Sequence, residues 1–332
     1  LHLCDRRQRQ MCIRDSPYLE LSNLHSKEIT EEKVKQKITQ FINELEAYVP
    51  TLQGNLKHQN LNQVEIALPN VLLSLPADKV LEGIKSGSSD KVQNLYDNVQ
   101  AWEELMGIMY KTYGIDDHKN DSLETRHNIR YMQMFANAFM YASGNHIGIG
   151  YESVAPLMTG KPVTPGQTSP NSLFGWGIAH EIGHVMDAFG KAEVTNNIYS
   201  LIGQTYDGDK NILPSRLEGG AYEGAFKKVS VGGEGVPNDL FVNLAMYWQL
   251  HLAYDDKDST QFYNQVHKLY RTDETVKSFN GMDKFAVAAS KVAQKDLTEF
   301  FTRWGVVLSD SAKNTMVKTK EERAIYLSLI HI

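Results

Sequence analysis

The chain has 332 residues, with 34 Lys and Arg against 40 Asp and Glu and a formal net charge of −6. That length can bury the core of one large or two small domains, and the acidic balance argues against a nucleic-acid partner. No apolar run approaches the roughly 20 residues needed to cross a bilayer, so no membrane span is expected.

The two ends are read first, because they change the bounds. "LSLIHI", Leu327 to Ile332, is the translation of a transposon end used in sequencing libraries, and "RRQRQMCIRD" translates the matching adaptor read inward. Residues 1–16 and 327–332 are therefore expected to be adaptor-derived, leaving a natural piece from Pro17 to Tyr326 whose ends are cuts in DNA. On this reading Arg6, Arg7, Arg9 and Arg14 are not a nucleic-acid arm, and a missing signal peptide says nothing about export. Both cysteines, Cys4 and Cys12, fall in the adaptor part, which removes disulfides and thiolate zinc sites from consideration.

In chain order, Val34, Ile38, Phe41, Ile42, Leu45 and Val49 keep helical spacing from Thr30 to Val49, with acids in the first turn and Pro50 as the stop. "VEIALPNVLLSL", Val64 to Leu75, reads as strands broken at Pro69, and a long helix is predicted over Lys91 to Tyr113. "NIRYMQMFANAFMYASG" mixes both patterns. "HIGIGYESV", His146 to Val154, alternates and predicts a strand. Thr159 to Ser172 is rich in turn residues and ends in helix-start signals. Gly219 to Gly235 reads as a Gly-rich loop, followed by helices near Leu240–Tyr254, Ser259–Tyr270 and Asp296–Trp304. Helices dominate, with few strands.

Chemistry concentrates in "FGWGIAHEIGHVMDAFGKAEVTNNIYS". A helix over Leu173 to Phe189, capped by Gly190, gives an apolar stripe of Ile178, Ile182, Val185 and Phe189. His180 and His184, four apart, place both imidazoles on one side, close enough to share one ion. Glu181 lies about 100° round the helix from His180, suited to hold a water rather than to ligate. A third ligand is needed. Gly190 stands where a further histidine would sit in some zinc peptidases, and Glu193, opening a second helix, is available. Asn197, one turn later, could hydrogen-bond a ligand imidazole, and Asp187 reads as an orienting or surface acid rather than a ligand. Trp176 is either core or cleft lining.

These residues also resemble a known family. "FGWGIAHEIGHVMDAFGKAEVTNNIYSL" looks like the active-site block of the enhancin-like, mucin-degrading gluzincin peptidases. "GIGYESVAPLM" resembles their Gly-Tyr-Pro segment, and "LAMYWQLHLAYDDKDSTQFYNQVHKLYR" and "DLTEFFTRWGVVLS" resemble their helical C-terminal part. The likeness covers most of Val64 to Ser309. It departs at Glu152, where the family often has proline, and in lacking a Gln- and Trp-rich stretch after the second histidine; both bear on substrate preference.

The resemblance implies an α+β, zincin-like metallopeptidase catalytic domain, helix-rich with a small mixed sheet. It would span 17–326, with an N-terminal lobe about 17–172 and a helical C-terminal lobe about 173–326. It implies one Zn2+ held by His180, His184 and Glu193, Glu181 as general base, and a secreted or cell-surface enzyme cleaving protein or glycoprotein substrates, including O-glycosylated mucins. An extended substrate would pair with an edge strand, for which His146 to Val154 is the candidate, placing Gly150, Tyr151 and Trp176 in the substrate cleft. Tyr199, Tyr206, Tyr222, His251 and His267 are candidates for stabilising the oxyanion. Two alternatives stay open: a catalytically inactive glycoprotein-binding module of the same fold, and a zinc hydrolase acting on a non-peptide bond.

Overall fold

The computed structural model describes residues 16–116, 126–135, 138–169, 172–211, 213–236, 238–255 and 261–328. Most of the two ends expected to be adaptor-derived, and the expected helix start at Ser259, lie outside the described residues. The chain divides into two compact units, 1–107 with 119–181 and 108–118 with 182–332.

The first unit carries the sheet. Its strands are β1 (Tyr18–Glu20), β2 (Val64–Ala67), β3 (Val71–Leu75), β4 (His127–Tyr131), β5 (Met140–Ser143) and β6 (His146–Ile149), in spatial order β1-β2-β3-β4-β6-β5. The pairing is mixed: β2–β3 and β5–β6 are antiparallel, the others parallel. Alternation puts Val71, Leu73 and Leu75 into the core. Helix α1 (Glu31–Tyr48) follows the predicted periodicity, burying Val34, Ile38, Phe41, Ile42 and Leu45, and Thr30 caps it by accepting from the Lys33 N–H.

Helix α2 (Ala77–Ser86) and α4 (Tyr151–Leu157) pack closely because Gly83 has no side chain; a Cβ there would stand 2.6 Å from the Ala155 carbonyl oxygen. Between them in sequence runs α3 (Lys91–Thr112), which passes from the first unit into the second, as does α5 (Trp176–Met186).

Two expectations fail in this unit. The strand predicted over His146–Val154 stops at Ile149, and Tyr151 onward is helix α4. Gly150, in extended conformation, caps that helix, and the apparent alternation of "GYESV" is one turn of it. Nor is β6 an edge: it lies between β4 and β5, and among the described residues the edges are β1 and β5.

The second unit is helical: α6 (Asn197–Thr205), α7 (Ala221–Ser230), α8 (Leu240–Tyr254), α9 (Phe262–Thr272), α10 (Glu274–Lys277), α11 (Gly281–Ala293), α12 (Thr298–Arg303) and α13 (Asp310–Thr315). Helix α8 is buried along almost its whole length, from Val242 to Ala253. The predicted Gly-rich loop at 219–235 contains α7 instead. Its glycines have other uses: Gly220 enters the helix at φ +118°, and Gly224 admits Val242 of α8, whose Cγ2 would be 2.5 Å from an added Cβ.

Candidate metal centre

Helix α5 is short, and its ends explain why. Ile178, Ala179, Ile182 and Met186 are buried on one face, while Val185, expected on that stripe, is 42% exposed. The expected helix to Phe189 ends three residues early. The Asp187 N–H still reaches the Gly183 carbonyl at 2.7 Å, but the Asp187 carboxylate then accepts from the N–H of Phe189 at 3.1 Å and of Gly190 at 3.2 Å. A side chain that satisfies these N–H groups competes with the helical ladder and ends it.

Beyond that point the chain turns back on itself. Phe189 inserts its ring among His267, Tyr263, Tyr270 and Phe285, with centroids 4.4 to 5.8 Å away. Gly190 takes φ +78°, and Glu193 takes φ +64°, a left-handed conformation uncommon for a residue with a side chain. Glu193 therefore does not open a helix, as expected from sequence; it sits in the turn, and α6 begins at Asn197. The return is close because position 183 is glycine. A Cβ on Gly183 would lie 2.2 Å from the Asn196 carbonyl oxygen.

This run of chain brings three of the predicted residues together. One ligand-type atom from each of His180, His184 and Glu193 lies within 4.8 Å of the others, and His184 Nε2 stands 3.1 Å from Glu193 Oε1. Two donors each about 2.0–2.1 Å from a tetrahedral zinc ion are separated by roughly 3.3 Å. The donor set, two imidazoles and a carboxylate with a place left for solvent, fits that ion. Both imidazoles are half-buried, Glu193 is exposed, and the neighbouring Glu181 is buried. Asn197 donates through its side-chain amide to the Glu193 carbonyl oxygen at 2.8 Å and accepts from the Ser200 hydroxyl at 3.2 Å. It thus touches Glu193 through its backbone.

Asp187 is the residue whose weight the sequence understates. Besides the two N–H groups, it accepts from the Thr195 hydroxyl at 2.7 Å, eight residues on. Burial pushes its carboxyl above the usual carboxylate range, opposed by the Thr195 hydroxyl, the two N–H groups and His184. Spacing could not have paired Asp187 with Thr195, since the contact exists only once the turn has formed.

The remaining candidates are placed as follows. Trp176 is half-buried at the first position of α5. Beside it, Gly177 faces β5: an added Cβ would meet Met140 Sδ at 3.2 Å and Phe139 Cε2 at 3.4 Å. The Gly150 N–H donates to the Phe139 carbonyl, tying α4 to the start of β5. Tyr151 donates its hydroxyl to Asp78, and the Lys79 ammonium lies 4.9 Å over its ring.

Among the five oxyanion candidates, Tyr199 and His267 are fully buried and bonded to each other at 3.2 Å, with His267 Nδ1 donating to the Tyr263 carbonyl. His251 is buried, paired with Asp255 at 3.0 Å and stacked on Trp248. Tyr222 is buried, and Tyr206 is half-buried, donating to the Gly208 carbonyl.

A sequence model of peptidase M60, enhancin and enhancin-like, matches residues 53–305. No curated protein sequence matches the chain. Among solved structures, the chain is similar to a conserved protein of unknown function from Bacillus anthracis (25% identity, TM-score 0.64, covering 91% of this chain and 58% of that one). It is similar to the M60 catalytic domain of Clostridium perfringens ZmpC, solved with the sialyl T antigen (22%, 0.64, 94% and 57%). A metallopeptidase from Bacteroides thetaiotaomicron is also similar (20%, 0.61, 89% and 51%). The chain thus spans little more than half the length of these proteins, and the shared fold is the expected helix-rich α+β architecture with a small mixed sheet.

Proposed function

The chain belongs to the peptidase M60 family of enhancin and enhancin-like proteins, whose activity depends on a metal, and from that premise we propose that it is a zinc endopeptidase of the gluzincin type. The observation that carries the proposal is the convergence of His180, His184 and Glu193 within 4.8 Å, beside Glu181 on the same helix. His180, His184 and Glu193 would hold the ion. When bound, zinc supplies Lewis acidity, lowering the pKa of a water and polarising the scissile carbonyl.

The rest is done by the chain's own residues. Glu181 takes the proton of the attacking water and delivers it to the leaving amine, so the same carboxylate serves as base and then as acid. Glu181 is buried beside two half-buried imidazoles, so it is shielded from bulk water while it does so. Strand β5, at the sheet edge and against Gly177 of α5, is the element on which an extended substrate would pair, replacing the β6 candidate. Trp176 would line the cleft from the first turn of the same helix.

The substrate we propose is a protein carrying mucin-type O-glycans, met outside the cell or at its surface. Support comes from the active-site block quoted above and from two similar structures, one solved with the sialyl T antigen and one carrying CBM51 domains beside its M60 catalytic domain. The test compares wild type with Glu181→Ala on an O-glycosylated protein, with metal content measured in both. Loss of about 10²- to 10⁴-fold in kcat/KM with zinc retained is expected for a general base. Equal cleavage by both would remove Glu181 from the mechanism. No cleavage by either, with the glycoprotein still bound, would favour the non-catalytic module.

A further inference from the structure

The turn that carries Glu193 is held by an arrangement that neither the motif nor the ligand set requires. We propose that Asp187, acting through the buried Thr195 hydroxyl and the N–H groups of Phe189 and Gly190, is a positioning residue that fixes the Glu193 turn in its ligating shape before any metal arrives. The inference rests on the metal-site reading above.

Four observations carry it. Asp187 accepts three hydrogen bonds, at 2.7, 3.1 and 3.2 Å, all from the eight residues that follow it. Thr195 is fully buried and bridges both sides of the turn, since its oxygen accepts from the Lys191 N–H at 3.1 Å while its proton goes to Asp187. Glu193, between them, has φ +64°, a shape that an unsupported glutamate rarely keeps. Its carbonyl is gripped by Asn197 at 2.8 Å, and the following Asn196 backbone rests on Gly183, where a methyl group would not fit. Each contact restrains the backbone on either side of residue 193 and leaves its carboxylate exposed towards the imidazoles. A third ligand that is already in place loses less freedom when the ion binds, so affinity rises without any additional bond to it.

The role separates from ordinary structural support in its readout. Thr195→Val keeps the shape of the side chain and removes the hydroxyl; Thr195→Ser restores it. Zinc affinity is measured by competition with a chromophoric chelator, and folding by circular dichroism on metal-free protein. The expected result is a loss of zinc affinity by about 10- to 100-fold in folded Thr195→Val, regained in Thr195→Ser. Asp187→Asn, which keeps its size but weakens the acceptor, should lose about tenfold and serves if Thr195→Val does not fold.

Zinc affinity equal to wild type in the folded variants overturns the inference. His184→Ala keeps the two readings apart. If it binds zinc as tightly as wild type, the metal-site reading itself falls. If it releases zinc while Thr195→Val holds it at wild-type affinity, only the positioning role falls.

Discussion

Helix α5 sets the spacing of His180 and His184 with backbone hydrogen bonds that any helix makes, whereas the place of Glu193 depends on contacts peculiar to one turn. In the helix, the place of each proposed ligand follows from a rise of about 1.5 Å and a rotation of about 100° per residue. In the turn, a left-handed glutamate, a left-handed glycine, a buried threonine and an inserted phenylalanine combine to present one carboxylate. The first arrangement survives most substitutions nearby. The second fails if any of several members is lost. A three-ligand site can therefore have two ligands that are cheap to encode and one that is demanding.

The broadest way to break this contrast is to remove the ion. Zinc at a thousandfold excess over its dissociation constant should add about 4 kcal/mol to stability. Denaturant melts with and without chelator should show that difference in wild type and lose it in both His184→Ala and Glu193→Ala. A chelator-insensitive wild type would mean that the three side chains meet for another reason.

Two glycines on α5 sharpen the contrast further. Gly183→Ala drives a methyl group into the Asn196 backbone, which cannot move without the turn, and should cost about 3 kcal/mol and most of the zinc affinity. Gly177→Ala meets only the ends of Met140 and Phe139, which can swing aside, and should stay within about 1 kcal/mol of wild type with zinc binding intact. Thermal melts and metal titration of both variants test the pair. Similar losses at the two positions would mean that the helix and the turn are equally demanding.

Acid should act on each unit through a buried histidine. Burial pushes His267, under Phe189, down to about 3, and His127, on β4, down to about 4. Each folded pKa lies below the unfolded value of about 6.5, so the folded state binds fewer protons. Their contribution is fully present above pH 6.5 and is lost as pH falls from there towards the folded values. Between pH 6.5 and 5 each should cost about 2 kcal/mol. Unfolding measured at both values should show a shallower dependence in His267→Gln; an unchanged slope would mean that His267 gains its proton equally in the folded and unfolded states.

The smallest effect concerns the conformation of residue 193. With its carboxylate gone, Glu193→Gly should be about 1 kcal/mol more stable than Glu193→Ala, because glycine accepts φ +64° without strain. Equal stability would place the left-handed conformation in doubt.

The same contrast explains what could be read in advance. Helices α1 and α3 follow a 3.6-residue period that the sequence displays, α8 is an almost unbroken apolar run, and the predicted limits of all three differ by a residue or two at most. The histidine pair is legible for the same reason. Helix α7 was hidden because Gly219, Gly220, Gly232 and Gly233 flank it and suggest a loop, although its interior Gly224 is there for Val242. Helix α4 was hidden because it is only seven residues long and contains Pro156. Glu193 was within reach as a candidate, but its turn was not, since Asp187 and Thr195 lie too far apart in sequence for any local pattern to join them.

The insertion of Phe189 has a consequence for how this segment meets other proteases. Lys191–Ala192 is an exposed bond of the kind trypsin attacks, in a short surface turn. Cleavage requires the residues on both sides of the bond to be drawn out into an extended strand. Here a phenylalanine locked among aromatic rings lies two positions before the bond, and a fully buried threonine lies three positions after it. The turn can be touched but not unthreaded, and limited trypsin digestion should leave it whole for as long as the helical core stays closed.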